Sequence, residues 1–411
     1  MGSEKMKIAL FSYEFPPETG SGGIGTYLKL TQQLLNDAGH LAVVFTATNQ
    51  SDAFWETETI FKIPAKNWDD FNIQLPAYFL PIHSKINFDI AEGTDFKGCG
   101  LSVKKALPQL PLVVRLHTPL FLVDQLLYKP LTIFERMRFV FGGLLKGKFN
   151  RIPGPPVKEH YTDEFEIFDR ADYISSPGKS IAQKLAEIGF KLTNKTGIVP
   201  LPFLVTPQLK AVSVLRETDQ RANVIFIGRM ELRKGVIDLA KAIPLILQTY
   251  PETSFTFVGR PSVSPVKGQD MLVYLKELLS DYLDKVKFTG QVPPEEIIDY
   301  LSNGDIFVFP SHYESFGFVC CEAMAAGKAV IGSKNGGMAE LISDGVSGLL
   351  VEPKSPVELA QKVKELIAAD TLRVTLGANA RNAVIEKLSP EKIIPLQVQL
   401  YHKAISRCSK K

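Results

Sequence analysis

PSHYESFGFVCCEAMAAGKAVIGSKNGGMAE, residues 310–340, is the most densely patterned stretch of this 411-residue chain. It follows IFVFP at 306–310, an apolar run that reads as a buried strand. A polar turn holding Glu314, Ser315 and Gly317 comes next. From Phe318 the apolar spacing is helical as far as Ala326, and Gly327 stops it. AVIGS at 329–333 is a second strand, Asn335-Gly336-Gly337 a second tight loop, and a second short helix follows. Two successive strand–loop–helix units set two loops and two helix N-termini at one edge of a parallel sheet, the edge where open α/β sheets bind ligands. Helix N-termini carry unpaired N–H groups and partial positive charge, which suits phosphate. Glu314 and Glu322 lie eight residues apart across loop and helix. Carboxylates accept hydrogen bonds from vicinal hydroxyls such as those of a ribose or a hexose.

The order E-S-F-G-F-x-x-x-E-A-M-A-A-G-x-x-V-I-x-S-x-x-G-G-x-x-E runs on through DGVSGLLVEP at 344–353. It closely resembles the signature of family 4 retaining glycosyltransferases of the GT-B fold, and Glu314 and Glu322 meet its E-x7-E spacing. The resemblance implies an α/β protein of two Rossmann-like, doubly wound domains facing a central cleft, with a C-terminal helix crossing back to the first domain. The divisions expected are an acceptor-binding domain at 1–204, a nucleotide-sugar-binding domain at 205–390 and the returning helix at 391–411. Pro200, Pro202 and Pro207 mark the linker. Ser389 and Pro390 read as the N-cap and first position of the last helix.

Other strand ends supply further candidates. KIALFS at 7–12 leads into EFPPETGSGGIGTY and a helix closed by Ala38-Gly39. Gly20-x-Gly22-x-x-Gly25 formally satisfies the dinucleotide fingerprint, and alone it suggests a nicotinamide-dependent oxidoreductase. Yet the glycines begin eight residues after the strand, and TATNQS after Phe45 offers no acid to hold a ribose. Gly22 and Gly23 still let backbone N–H groups approach a phosphate or sugar. NVIFI at 223–227 opens the second half and is followed by GRMELRKG, in which Arg229 and Lys234 lie five apart in a strand-to-helix turn beside Gly228. Cations so placed converge on a diphosphate and stabilise it as it leaves. DIAE and LVVRLHTP put Glu92 and His117 at strand C-termini.

The resemblance assigns roles. Arg229 and Lys234 would hold the diphosphate, Glu322 the ribose, and Glu314 with the backbone of Phe316, Gly317 and Phe318 the hexose. Gly22, Gly23, Gly228, Gly259, Val292 and Ser315 complete the donor-binding set. His117 would lie near the donor sugar and Glu92 would face the acceptor, leaving His117, Arg229, Lys234 and Glu314 as the catalytic group. The implied reaction is retaining transfer of a hexose, by default glucose from UDP-glucose, to an unidentified acceptor hydroxyl with an α-linkage. No cofactor beyond the nucleotide-sugar co-substrate is expected. No D-x-D occurs in the chain, so the expectation is a metal-independent enzyme in which cations and helix dipoles serve. The alternative is a catalytically silent GT-B binding or regulatory module.

Residues 128–151, YKPLTIFERMRFVFGGLLKGKFNR, depart from this pattern with six basic residues against Glu135 alone. Three readings fit: packing on the core with a solvated basic face, acceptor contact through residues such as Arg136 and Arg138, and an amphipathic element for an anionic membrane surface, weighed in that order. A net charge of +3 implies no bulk polyanion such as nucleic acid as partner. Four cysteines without a C-x-x-C pair suggest neither a disulfide framework nor a zinc site, and a reducing cytoplasm is expected. Neither a signal peptide nor a spanning helix is read in the sequence.

Overall fold

The computed structural model describes residues 5–410 apart from 21, 129, 145–151, 153, 193 and 213–220. Lys129, Lys146, Lys148 and Arg151 of the basic segment therefore lie outside the described residues. The fold is GT-B, with two sheets, each at the centre of its own domain. The first contains β1 (Lys7–Phe11), β2 (Leu41–Thr48), β3 (Phe54–Thr57), β4 (Ile60–Pro64), β5 (Ile90–Thr94), β6 (Leu112–Arg115), β7 (Tyr173–Ser176) and β8 (Thr196–Ile198). Their spatial order is β3-β4-β2-β1-β5-β6-β7-β8, parallel except for the antiparallel edge pair β3–β4. The second contains β9 (Asn223–Ile227), β10 (Ser254–Val258), β11 (Val286–Gly290), β12 (Ile306–Phe309), β13 (Ala329–Ser333) and β14 (Leu349–Val351) in the order β11-β10-β9-β12-β13-β14.

The apolar runs become strands buried on both faces because helices cover both sides. Ile8 to Phe11, Val224 to Phe226 and Ile306 to Val308 are almost fully buried. Each sheet reverses its winding at one place, between β1 and β5 in the first and between β9 and β12 in the second. Loops diverge there and leave a crevice beyond the carboxyl ends of the strands. The glycine loop lies after β1, the Arg229–Lys234 turn after β9, and the Glu314 loop after β12.

The helix Phe318–Ala325 ends before Gly327, whose φ of +72° is the left-handed stop expected. The last helix, Pro390–Cys408, begins with Pro390, but Ser389 makes no side-chain cap bond. That helix returns to the first domain and packs Ile393, Ile394, Leu400 and Tyr401 with Ile8, Leu10 and Val113. The two cores meet before the linker prolines end: Leu201 and Phe203 pack with second-domain residues, and Tyr313 inserts into the first-domain core.

Candidate functional site

The cationic turn is built by close backbone packing. Gly235 has φ +72°, and a β-carbon there would lie 1.9 Å from the Pro310 carbonyl oxygen, so the 3-10 turn Leu232–Lys234 presses on the end of β12. This brings Lys234 Nζ into an ion pair with Glu314 Oε2. Arg233, which the sequence did not single out, is buried beside this pair. Its Nη2 lies 2.7 Å from Glu231 Oε1, its Nη1 donates to the Tyr313 carbonyl at 3.2 Å, and Glu314 Oε2 is 4.0 Å away. Burial opposes the Glu314 carboxylate, but Lys234 and Arg233 outweigh it and hold its pKa below the usual range. Arg229 Nη2 sits 3.6 Å from Glu231 Oε2 while its side chain stays 57% exposed, so it is the cation with an open face.

Two loops back this cluster. A β-carbon at Gly336 would lie 2.2 Å from the Glu314 carbonyl oxygen, and Gly337 N–H donates to that oxygen at 2.7 Å. Gly317 (φ +93°) starts the helix Phe318–Ala325 without a side-chain cap, so the first-turn N–H groups are left for water or a ligand. One turn into this helix stands Glu322. Among the described residues no ion pair or side-chain hydrogen bond holds it, and burial pushes its pKa up to about 7. An acid so placed is stabilised by hydroxyl donors brought from outside.

Across the crevice, Gly22 caps the helix Gly23–Asp37, again without a side-chain bond, and a β-carbon at Gly23 would lie 3.6 Å from Phe318 Cδ2. Beneath the loop lies Glu14, also unforeseen: its Oε2 is 2.9 Å from where a Gly22 β-carbon would stand. Burial raises its pKa and Arg229, facing it from the other domain, opposes that rise. Glu14 opens the EFPP run just before the glycines, the only signal that the sequence offered for it. His117 is buried, with its backbone N–H donating to both Asp95 carboxylate oxygens at 3.0 Å and its ring edge-on to Tyr27 at 5.1 Å. Its Nε2 has no hydrogen-bond partner among the described residues, and burial with nearby Arg115 drives its pKa down to about 3. It is therefore a neutral imidazole with a free ring nitrogen. The adjacent Thr118 Oγ1 lies 3.0 Å from Ser315 Oγ and ties the two domains together.

Three expected positions lie elsewhere. Glu92 does not face an acceptor. It is 3% exposed, and Tyr27 Oη (2.6 Å), Gln397 Nε2 (2.6 Å) and Tyr401 Oη (2.9 Å) donate to it, with Arg115 Nε at 3.9 Å. The returning helix, through Gln397 and Tyr401, meets the carboxylate at Oε2, the oxygen that Tyr27 does not take. Arg136 and Arg138 lie on the exposed helix Ile133–Leu144, and among the described residues no hydrogen bond or ion pair joins them to the crevice. Of the remaining donor positions, Gly259 (φ +139°) ends β10 with its backbone against Gly228, and Val292 lies just past β11, half-buried against the second domain.

Residues 209–383 match the family described as "Glycosyl transferases group 1". The second half of the chain is thus similar to group 1 glycosyltransferases. The match covers the cationic turn, both tight loops and Glu322, the parts of the site that belong to the second sheet. Over nearly its whole length, 96%, the chain is 25% identical to a glycogen synthase of Mycobacterium tuberculosis, covering 94% of that protein. It is 33% identical to an uncharacterised glycosyltransferase of Methanocaldococcus jannaschii over 185 residues, 44% of this chain and 45% of that one. Sucrose-phosphate synthase from Thermosynechococcus elongatus superposes with a TM-score of 0.73 at 21% identity, covering 98% of this chain and all of that one. Anabaena HepE, solved in complex with UDP, gives 0.66 at 18% identity over 96% and 99% of the two chains.

Proposed function

We propose that the protein transfers a hexose from a nucleotide-diphosphate sugar to an acceptor hydroxyl with retention of the anomeric configuration, UDP-glucose being the default donor. The observation that carries this reading is the combination of an open cation, Arg229, with a half-buried carboxylate, Glu322, that has no side-chain partner among the described residues, at the switch point of the second sheet. Diphosphate and ribose need these two groups. Arg229, the remaining donors of Lys234 and the uncapped start of the helix Phe318–Ala325 take the phosphates, and Glu322 accepts from the ribose hydroxyls. Glu314 and the backbone of 316–318 meet the hexose. The default of UDP-glucose is supported by HepE, which shares the fold and has been solved in complex with UDP-glucose.

In this reading the anomeric carbon–phosphate oxygen bond breaks as the acceptor oxygen bonds to the same face of the sugar. The acceptor proton passes to the departing phosphate, giving nucleoside diphosphate and an α-glycoside. The cations stabilise the negative charge that develops on the leaving group, and the cleft between the domains orients the reactants and excludes water, with no divalent metal required. His117, neutral and with a free ring nitrogen, is the hydrogen-bonding group beside the sugar.

Calorimetric titration with UDP-, ADP- and GDP-sugars tests the donor, with UDP-glucose expected to bind in EDTA as well as in Mg²⁺. Proton NMR of the product formed with any accepted hydroxyl reads the anomeric configuration. A β-linked product, or donor binding only with metal, would overturn the reading.

A further inference from the structure

The helix Ile133–Leu144 displays a face that nothing among the described residues covers. Ile133 is 78% exposed, Phe134 71% and Phe141 63%, with Met137 and Val140 also exposed. At about 100° per residue these five share one arc of roughly 120°, and Arg136 and Arg138 flank it, one on each border. On the opposite side Phe139 and Gly142 are half-buried and Gly143 is buried, so the apolar arc is the more exposed side of the helix. A contiguous apolar surface of this kind marks an interaction site.

Charge selects the occupant. Both arginines border the apolar arc, and the surrounding stretch 128–151 has six basic residues and one acid. A second copy of the helix would set like charges against each other, whereas an anionic bilayer offers phosphates to the arginines and hydrocarbon to the aromatic residues. No helix among the described residues is long and apolar enough to cross a membrane, so contact through this helix is peripheral. The preceding helix, Leu120–Leu127, packs against the 3-10 turn Leu232–Lys234, which places the outward face on the chain segment next to the cleft.

We infer that the helix Ile133–Leu144 docks the protein on an anionic lipid bilayer, with Phe134, Met137, Val140 and Phe141 entering the boundary between headgroups and acyl chains and Arg136 and Arg138 meeting lipid phosphates. This reverses the order in which the sequence ranked the three readings of the segment, because the apolar face is not spent on the core.

The full chain is sedimented with vesicles of phosphatidylcholine, and with vesicles containing about 30% phosphatidylglycerol. The experiment needs neither donor nor acceptor. Binding is expected to the anionic vesicles, to weaken with salt, and to fall at least tenfold or so in the F134E/F141E variant. R136E/R138E should lose a comparable factor, roughly tenfold, on anionic vesicles. All these side chains are exposed, so melting temperatures should match the parent. The inference is overturned if the parent does not sediment with anionic vesicles, or if both variants sediment as the parent does. It is also overturned if the parent is a dimer by light scattering that F134E/F141E returns to monomer, for the face is then a contact between copies.

Discussion

Glu92 and Glu322 stand near the switch points of the two sheets, and the protein treats these carboxylates in opposite ways. Glu92 has three hydrogen-bond donors and a guanidinium around it, drawn from β6 and from the helices Gly23–Asp37 and Pro390–Cys408. Glu322 has no side-chain partner among the described residues, and burial lifts its pKa to about 7. The first sheet has spent its acid on holding the returning helix in place. The second leaves its half-buried acid without a side-chain partner among the described residues. A carboxylate near a switch point is thus either a fastener or, as proposed for Glu322, a binding group, and the number of its partners separates the two.

The largest expected effect is on the fastened side. Removing one member of a buried charged network leaves the others unpaired, at about 3–5 kcal/mol. Glu92→Ala should therefore lower the urea midpoint severely, because Arg115 is fully buried beside it, while the folded fraction binds UDP-glucose nearly as the parent does. A variant with parental stability and lost nucleotide affinity would erase the contrast with Glu322.

Next comes the open side. Arg229→Ala and Lys234→Ala each remove a cation from the leaving group, about 3 kcal/mol or roughly a hundredfold in kcat. Arg229 is the cleaner test, since its exposed side chain pairs loosely with Glu231, which keeps Arg233, whereas losing Lys234 also strips Glu314 of its nearest cation. Near-parental turnover with the fold intact in both variants would sink the diphosphate assignment.

The titration of Glu322 sharpens the comparison further. Hydroxyl donors favour its ionised form, so binding must drive off the proton that the free protein carries below about pH 7. UDP-glucose has no group of its own titrating in this range, and its affinity should fall roughly tenfold between pH 8 and pH 6. For stability the sign is opposite. The folded pKa lies above the unfolded one, so the folded state holds more protons between about pH 4.5 and 7, and this group costs stability as the pH rises through that window. Glu322→Gln should flatten both profiles. A pH-independent affinity in the parent would remove Glu322 from the site.

What the sequence revealed follows the same division. The Arg229–Lys234 turn and the Glu314–Glu322 span are continuous in the chain, so their spacing carried the geometry. The fate of Glu92 was hidden because Gln397 and Tyr401 lie 305 and 309 residues away, and local spacing says nothing of such pairings. β3 escaped because it is a short, exposed edge strand, and β4, although buried from Phe61 to Ile63, because Lys62 and Pro64 break the apolar run that announced the central strands. The helix Ile133–Leu144 showed its period but not its direction, since an apolar stripe looks the same whether it faces core or solvent.

The smallest effect concerns how the two sides are held together. Glu340, the last residue of the long motif, reaches across to the first domain and accepts from Lys179 N–H at 2.9 Å, Ser180 N–H at 2.7 Å and Ser180 Oγ at 2.6 Å. It thereby caps the helix Lys179–Glu187, which has no side-chain cap from its own N-cap residue, Gly178. A cap of this kind contributes about 1 kcal/mol, less where water reaches it, as it does here. Burial alone would raise its pKa, but the Ser180 hydroxyl and the two amides hold it lower than usual. The latch is therefore fully present above the ordinary carboxylate range and released as the pH falls through that lowered value. Glu340→Ala should leave UDP affinity unchanged, raise KM for the acceptor a few-fold, and broaden the interdomain distance distribution measured by fluorescence between labels on the two domains. Lowering the pH through that depressed value should broaden the parent's distribution in the same way and leave that of the variant as it was. A distribution identical in parent and variant at neutral pH would mean that Thr118, Ser315 and Tyr313 hold the domains together without it.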